Sequence, residues 1–390
     1  MENLQAESAL LVQRTPTDFQ RYMYDKINWK ARMIGIVGPR GVGKTTMVRQ
    51  HIKLHFDSTT ALYVSADSLY FADHTLSDLA RQMVMQNMKH LIIDEIHKYE
   101  QWSQELKHIY DFYPDLQVIF TGSSVLDILK GQADLSRRAT MYLLQGLSFR
   151  EYLYMFHGIT TPVVTIEQIV SHKVQIEKVD HPYPFFYDYL KKGYYPFGRE
   201  EDFLQHLQQV VSLTMQVDIP RYAKMSASMG KKLEQLLVVI AKSVPFKPSM
   251  QHLADATGAS RNNMPEYLLY MEKAGMIAQL KTNKEGLRGM TKVEKLYLDN
   301  TNLAYLLGAN AADIGNIRET FFFNQLRVTH EITSADRADF VVDEKYVFEI
   351  GGKSKQQHQI SNLENAYIVK DDIEVGYMNV IPLWTFGLLY

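Results

Sequence analysis

Short apolar runs punctuate the first third of the chain, and each ends abruptly in glycine or polar residues. Met33–Val37 (MIGIV), Leu91–Ile93 (LII) and Leu116–Phe120 (LQVIF) are too short for helices. They predict strands of a parallel sheet buried on both faces. From Ser148 to Tyr222 aromatic-rich helical stretches alternate with HGITTPVVT and DHPYPFF, a punctuation that predicts short helices joined by loops. GKKLEQLLVVIAKS, SMQHLADATGAS and NMPEYLLYMEKAG then carry apolar residues at helical spacing, and MIAQLKTNKEGL suits a two-stranded wing with a turn at its tip. Further on, NIRETFFFNQLRV predicts a helix, followed by strand-like VTHEIT, ADFVV and KYVFEIGG.

The most specific chemistry follows the first run. Met33–Val37 leads into Gly38-Pro39-Arg40-Gly41-Val42-Gly43-Lys44-Thr45-Thr46 and then a helical stretch, the strand-loop-helix context of a Walker A loop. Glycines at 38, 41 and 43 let the backbone turn its N–H groups toward phosphate oxygens, and the helix N-terminus adds its positive dipole end. Lys44 is expected to reach the β and γ phosphates of ATP, and Thr45 to ligate Mg²⁺. Asp94 and Glu95 stand at the end of the Leu91–Ile93 run, where α/β sheets gather ligands. Asp94 is expected to hold Mg²⁺, largely through water, and Glu95 to orient the attacking water. The third run ends in TGSS, where Ser123 or Ser124 could contact the γ phosphate or cap a helix. Arg137, Arg138 and Arg150 are candidates for the arginine that transferring phosphoryl charge favours. DEIH also matches a helicase box, but the later arginine-rich helicase motifs are absent.

Composition narrows the setting. Of 390 residues 46% are apolar and 22% charged, and the apolar runs are far shorter than a spanning helix needs, which argues against a membrane protein. The N-terminus does not resemble a secretory signal, and there are no cysteines, so disulfides, thiolate zinc sites and thiol catalysis are excluded. The expected location is cytoplasmic. Net charge is only −2, yet residues 221–295 hold 13 Lys or Arg against six Asp or Glu.

Taken with their order, GPRGVGKTT, LIIDEIHKYEQWSQELKHIYD, FTGSS, RRATMYLLQGLSFREYL, YLKKGYYPF and KLYLDNTNLAYLLG give the chain a resemblance to prokaryotic AAA-type ATPases of the archaeal-ATPase kind. The resemblance implies a P-loop AAA-type core at 1–147, a helical lid or linker at 148–222, a winged helix-turn-helix at 223–294 and a small α/β, PD-(D/E)xK nuclease-like domain at 295–390. It singles out Arg138, eleven residues before Phe149, as arginine finger or sensor arginine acting in cis or in trans, and it implies a homo-oligomer such as a ring.

In the basic block Asn263, Pro265 and Glu266 suggest a capping arrangement, with Arg261, Asn262 and Asn263 at the entrance of a recognition helix and Lys281, Lys284 and Arg288 on the wing. These residue types suit DNA bases and phosphates; the alternative is a protein-packing module with a solvated basic face. In the last domain Glu319, Asp339 and Glu349 have the order of a nuclease metal site. The lysine that pattern requires two residues after Glu349 is replaced by Gly351. Lys353 lies about 6 to 7 Å further along a regular strand. The expectation is therefore a vestigial metal site on a retained scaffold. The leading functional reading is an ATP- and Mg²⁺-dependent switch or motor associated with DNA; the alternatives are a protein-remodelling ATPase and an ATP-regulated nuclease.

Overall fold

Every residue of β1 (Met33–Val37) is buried, as a central parallel strand covered on both faces requires. The computed structural model describes residues 1–122, 135–177, 179–282, 293–308, 313–352 and 363–390, and the chain divides into two compact units, Met1–Gly146 and Leu147–Tyr390.

The first unit runs α1 (Glu2–Gln13), β1, α2 (Lys44–His55), β2 (Ala61–Ser65), α3 (Leu76–Met85), β3 (His90–Asp94), α4 (Trp102–Phe112), β4 (Gln117–Gly122) and β5 (Thr140–Leu143). Its five strands lie in the order β2-β3-β4-β1-β5, all parallel. Their C-terminal ends therefore share one edge, and the glycine-rich loop after β1 and Asp94 at the end of β3 meet there. Leu62, Val64, Leu91, Ile93, Val118 and Phe120 form a core with Leu79 and Met83 of α3 and Leu106 and Ile109 of α4. Each such fully buried side chain contributes roughly 1.5–3 kcal/mol. Among the described residues the outer strand β2 pairs with β3 alone, and α1 covers its other edge: Ser8 Oγ accepts the Tyr63 N–H at 2.9 Å.

In the second unit the order is α5 (Phe149–His157), α6 (Ile166–Val170), α7 (Tyr183–Asp188), α8 (Phe203–Leu213), α9 (Ile219–Ala223), α10 (Ala227–Ser243), α11 (Met250–Thr257), α12 (Met264–Lys273), the antiparallel pair β6 (Ile277–Lys281) and β7 (Val293–Leu298), α13 (Thr301–Gly308), α14 (Ile314–Leu326), β8 (Ile332–Ser334), β9 (Phe340–Val342), β10 (Tyr346–Gly351), β11 (Ala366–Lys370) and β12 (Val380–Pro382). The last five strands form a mixed sheet in the order β12-β11-β10-β9-β8. Phe322 of α14 anchors the helix there, its ring 5.1 Å from Phe340, 5.2 Å from Phe348 and 4.8 Å from Phe386.

Local signals explain several boundaries. Ser148 and Glu151 form a reciprocal capping box on α5, which stops at Gly158 in the left-handed region. The expected box at Asn263 does not form. Asn263 has helical dihedrals and makes no cap hydrogen bond, whereas a capping side chain reaches back from an extended backbone. Its amide instead donates to the Tyr267 hydroxyl at 3.2 Å, and Glu266 accepts from Tyr270.

YLKKGYYPF and KLYLDNTNLAYLLG, far apart in sequence, interlock through a buried polar network. Asn302 Nδ2 donates to the carbonyls of Tyr189 (3.2 Å) and Leu190 (2.9 Å), where the chain makes a π turn, and its Oδ1 accepts the Tyr194 N–H at 3.0 Å. A carbonyl released from the regular helical ladder needs such a partner when buried. Asp299 accepts from Tyr194 (3.1 Å), Asn300 (3.2 Å) and Arg327 (2.5 Å).

Candidate functional site

The loop after β1 is shaped by glycine at the positions where geometry demands it. A Cβ on Gly38 would lie 2.1 Å from the Leu144 carbonyl oxygen, and Gly43, at φ 97°, begins α2 from the left-handed region. The buried Lys44 ammonium donates to the carbonyls of Gly38 (2.8 Å) and Pro39 (2.7 Å), inside its own loop. Val42 is fully buried and Thr46 is exposed. Arg21, which no motif marks, is buried and donates to the carbonyls of Val42, Gln145 (2.7 Å) and Gly146 (2.9 Å), tying the loop to the segment after β5.

Asp94 is 5% exposed and is approached by hydroxyls from three elements. Thr45 of α2 contacts Oδ2 at 2.8 Å and Oδ1 at 3.1 Å, Tyr63 of β2 donates to Oδ2 at 2.7 Å, and Thr121 of β4 donates to Oδ1. The same Thr121 hydroxyl accepts the Glu95 N–H at 3.1 Å. Burial first, then the Asp94 charge, pushes the Tyr63 phenol above its ordinary pKa, so it remains a donor. Thr121 immediately precedes the serines that the TGSS stretch offers as candidates; Ser123 and Ser124 lie outside the described residues. The register could have identified Thr121: Ile93 pairs with Phe120, so the next residues, Asp94 and Thr121, are neighbours.

Glu95 has φ 51° and ψ 44°, a left-handed conformation uncommon outside glycine. Its carboxylate pairs with Lys98 and lies 3.7 Å from Arg40 of the glycine-rich loop. Lys98 also pairs with Asp67. Burial opposes charge on Lys98, but the two carboxylates outweigh it and raise its pKa. A cavity of about 380 Å³ lined in part by Thr45, Arg49, Tyr63, Ser65, Asp94 and Glu95 opens beside these groups.

Arg138 stands apart from them. Its guanidinium makes two 3.0 Å contacts with Asp111 at the end of α4. It precedes β5, whose Thr140 pairs with Ile34 near the start of β1, whereas the glycine-rich loop follows the other end of β1. The four steps from Met33 to Val37 separate the two edges by about 13 Å.

In the second unit, Glu319 of α14 and Asp339 before β9 are brought together by a residue that no motif marks. Lys295 Nζ on β7 lies 3.2 Å from Glu319 Oε2 and 3.1 Å from Asp339 Oδ1, and Tyr297 donates to Glu319 at 2.8 Å. Burial, then the Asp339 charge, raises the Glu319 pKa, with Lys295 opposing. Asp339 Oδ2 also accepts the Ile350 N–H at 2.9 Å. Glu349 is buried on β10, and among the described residues no group of three acidic, His or Cys side chains could hold a metal. An ammonium between two carboxylates does not fit a divalent ion. Lys353 lies outside the described residues.

Arg261, Asn262 and Asn263, in the short turn just before α12, and Lys281, on β6, are exposed. Lys284 and Arg288 lie outside the described residues. Among the described residues, no helix is long and apolar enough to cross a membrane.

Residues 30–153 match the family model of an AAA domain, and residues 185–313 match a domain of unknown function (DUF8612). An uncharacterized protein of Methanocaldococcus jannaschii is 24% identical over 441 aligned positions, covering 98% of this chain and 92% of that protein. Among solved structures, a Walker-type ATPase of Pyrococcus abyssi is 13% identical, covers 76% of this chain and 99% of its own, and gives a TM-score of 0.47. AMPPCP-bound DnaA from Aquifex aeolicus is 12% identical, covers 70% of this chain and 88% of its own, and gives a TM-score of 0.29. By the family match and its loop and sheet, the first unit carries a P-loop ATPase domain of the AAA type.

Proposed function

We propose that this chain binds ATP with Mg²⁺ and hydrolyses it in a cycle that serves as a molecular switch or motor in the cytoplasm. The observation that carries this reading is the meeting of Thr45 and Asp94, 49 residues apart in sequence, at 2.8 Å beside the loop that holds Lys44. A threonine hydroxyl and a carboxylate are hard oxygen donors suited to Mg²⁺, which when bound supplies positive charge to the β and γ phosphates. Lys44 exchanges the Gly38 and Pro39 carbonyls for phosphate oxygens. Backbone N–H groups of residues 38–46 cradle the phosphates. Glu95, released from Lys98 and Arg40, orients the attacking water and accepts its proton. Thr121, bonded to both Asp94 and the Glu95 backbone, keeps the two acids in fixed relation, and Ser123 is a second candidate beside the γ phosphate. Arg138, on the far edge of its own sheet, serves the nucleotide of a neighbouring copy, which makes the working form a homo-oligomer.

Residues 148–222 act as lid or linker, 223–294 as a winged helix and 295–390 as a nuclease-like scaffold. The three helices followed by a β-hairpin support the second of these. Exposed Arg261, Asn262, Asn263 and Lys281 favour DNA over a protein as its partner. The ammonium between Glu319 and Asp339 argues against phosphodiester cleavage.

An ATPase assay with and without duplex DNA tests the reading. Turnover should need Mg²⁺ and rise with DNA; Lys44→Ala should abolish it, and Glu95→Gln should retain ATP without turnover. Wild-type turnover in Lys44→Ala would sink the assignment.

A further inference from the structure

Tyr63 belongs to no phosphate-binding motif and sits on the outer strand of the sheet, yet its hydroxyl touches the carboxylate expected to hold the metal. Tyr63 is 3% exposed, and its ring is covered by Arg49, whose guanidinium carbon lies 4.3 Å from the ring centroid. Arg49 Nη2 donates to the Tyr63 hydroxyl at 2.5 Å, and that hydroxyl donates onward to Asp94 Oδ2 at 2.7 Å. The backbone of Tyr63 is fixed as well, through its N–H to Ser8 of α1.

We propose that Tyr63, held and polarised by Arg49, is a positioning residue for Asp94 that sets the Mg²⁺ affinity of the site. The inference rests on the ATP and Mg²⁺ reading above. A carboxylate can turn about its Cβ–Cγ bond, and Thr45 alone cannot prevent this, because its contacts of 2.8 and 3.1 Å engage both oxygens almost equally. Tyr63 on Oδ2 and Thr121 on Oδ1 distinguish the two oxygens and fix the plane. Arg49 occupies the acceptor side of the phenol, which leaves the O–H free to point only toward Asp94. A chain of hydrogen bonds ending on a cation strengthens each link. Fixing a ligand in this way is what outer-shell partners do for metal sites, with a typical effect of 10–100-fold on affinity. The alternative, that Tyr63 merely fills the core, requires only its ring.

Tyr63→Phe separates the two, since it keeps the ring and removes the hydroxyl. Binding of a fluorescent ATP analogue is followed first in EDTA and then across a Mg²⁺ titration, with melting curves of both proteins. The expected result is a folded protein with a modestly lowered melting temperature, the cost of the lost phenol hydrogen bonds, and unchanged affinity in EDTA, with a Mg²⁺ midpoint raised about tenfold. Arg49→Met should move the midpoint in the same direction by less. In turnover, the Mg²⁺ concentration for half-maximal rate should rise while kcat at saturating Mg²⁺ changes less. A wild-type Mg²⁺ midpoint in Tyr63→Phe overturns the inference, as does an equal loss of binding with and without Mg²⁺. If the wild-type protein itself shows no Mg²⁺-dependent ATP binding, the ATP reading fails, and this inference falls with it.

Discussion

Lys295 Nζ lies 3.1 Å from Asp339 Oδ1, although the two residues are 44 positions apart, one on β7 and the other just before β9 of a separate sheet. Glu319 Oε2 also lies 3.2 Å from the same ammonium. Two carboxylates this close repel each other, and burial raises the cost. The ammonium offsets both, and it fastens the β6–β7 hairpin to the carboxylates that α14 and the start of β9 present.

Lys295→Met should therefore destabilise the second unit by about 1–3 kcal/mol, less than a fully buried pair because all three side chains retain some exposure. Mn²⁺ should recover part of that loss in Lys295→Met and leave the wild-type melting temperature unchanged, since only a site freed of its ammonium gains from a divalent ion. Thermal melting with and without Mn²⁺ measures both. Stabilisation of the wild type by Mn²⁺ that vanishes in Asp339→Asn would contradict the assignment.

Because Arg138 and the P-loop lie on opposite edges of one sheet, neither Lys44→Ala nor Arg138→Ala alone should turn over ATP. Mixed oligomers of the two should. A neighbour with an intact Arg138 can serve the intact P-loop of Arg138→Ala. An arginine of this kind is worth about 10³–10⁵ in rate, so recovery to a few per cent of wild type stands well above background. No recovery on mixing would point away from action between copies.

Asp299 is buried and pairs with the partly buried Arg327, and it is also bonded to Tyr194 and Asn300. Asp299→Ala leaves the partly buried guanidinium without its carboxylate, and should cost about 2–4 kcal/mol, less than breaking a wholly buried pair. Asn302→Ala, which strips the Tyr189 and Leu190 carbonyls of their donor, should cost about 1–3 kcal/mol. Urea denaturation compares them, with Asp299→Ala expected to have the lower midpoint.

His51 stacks on Trp29 at 3.8 Å and contacts the Tyr24 hydroxyl at 3.2 Å. Burial, and then the charges of His55 and His90, lower its pKa from 6.5 to about 4. Between these values the unfolded chain binds a proton that the folded chain does not. Its contribution to stability is thus complete above pH 6.5 and lost as pH falls toward 4. His51→Phe should flatten that acid limb, as read from denaturation midpoints across pH 4–7. An unchanged slope would assign the acid sensitivity elsewhere.

What the chain determined by itself is local. MIGIV, its glycine loop and the helix behind it follow from apolar runs, positive-φ glycines and helix-start chemistry over some twenty consecutive residues, and LIID ends at the edge where ligands gather. Which side chains complete each site was decided by tertiary structure alone. Asp94 is met by Tyr63 and Thr121, 31 and 27 positions away, because parallel strand register sets them beside it. Gly351 marks a missing lysine in sequence, but only packing of the hairpin beside α14 delivers Lys295 to Glu319 and Asp339. Spacing reports neighbours within one element, and it carries no record of which strands the crossovers bring together.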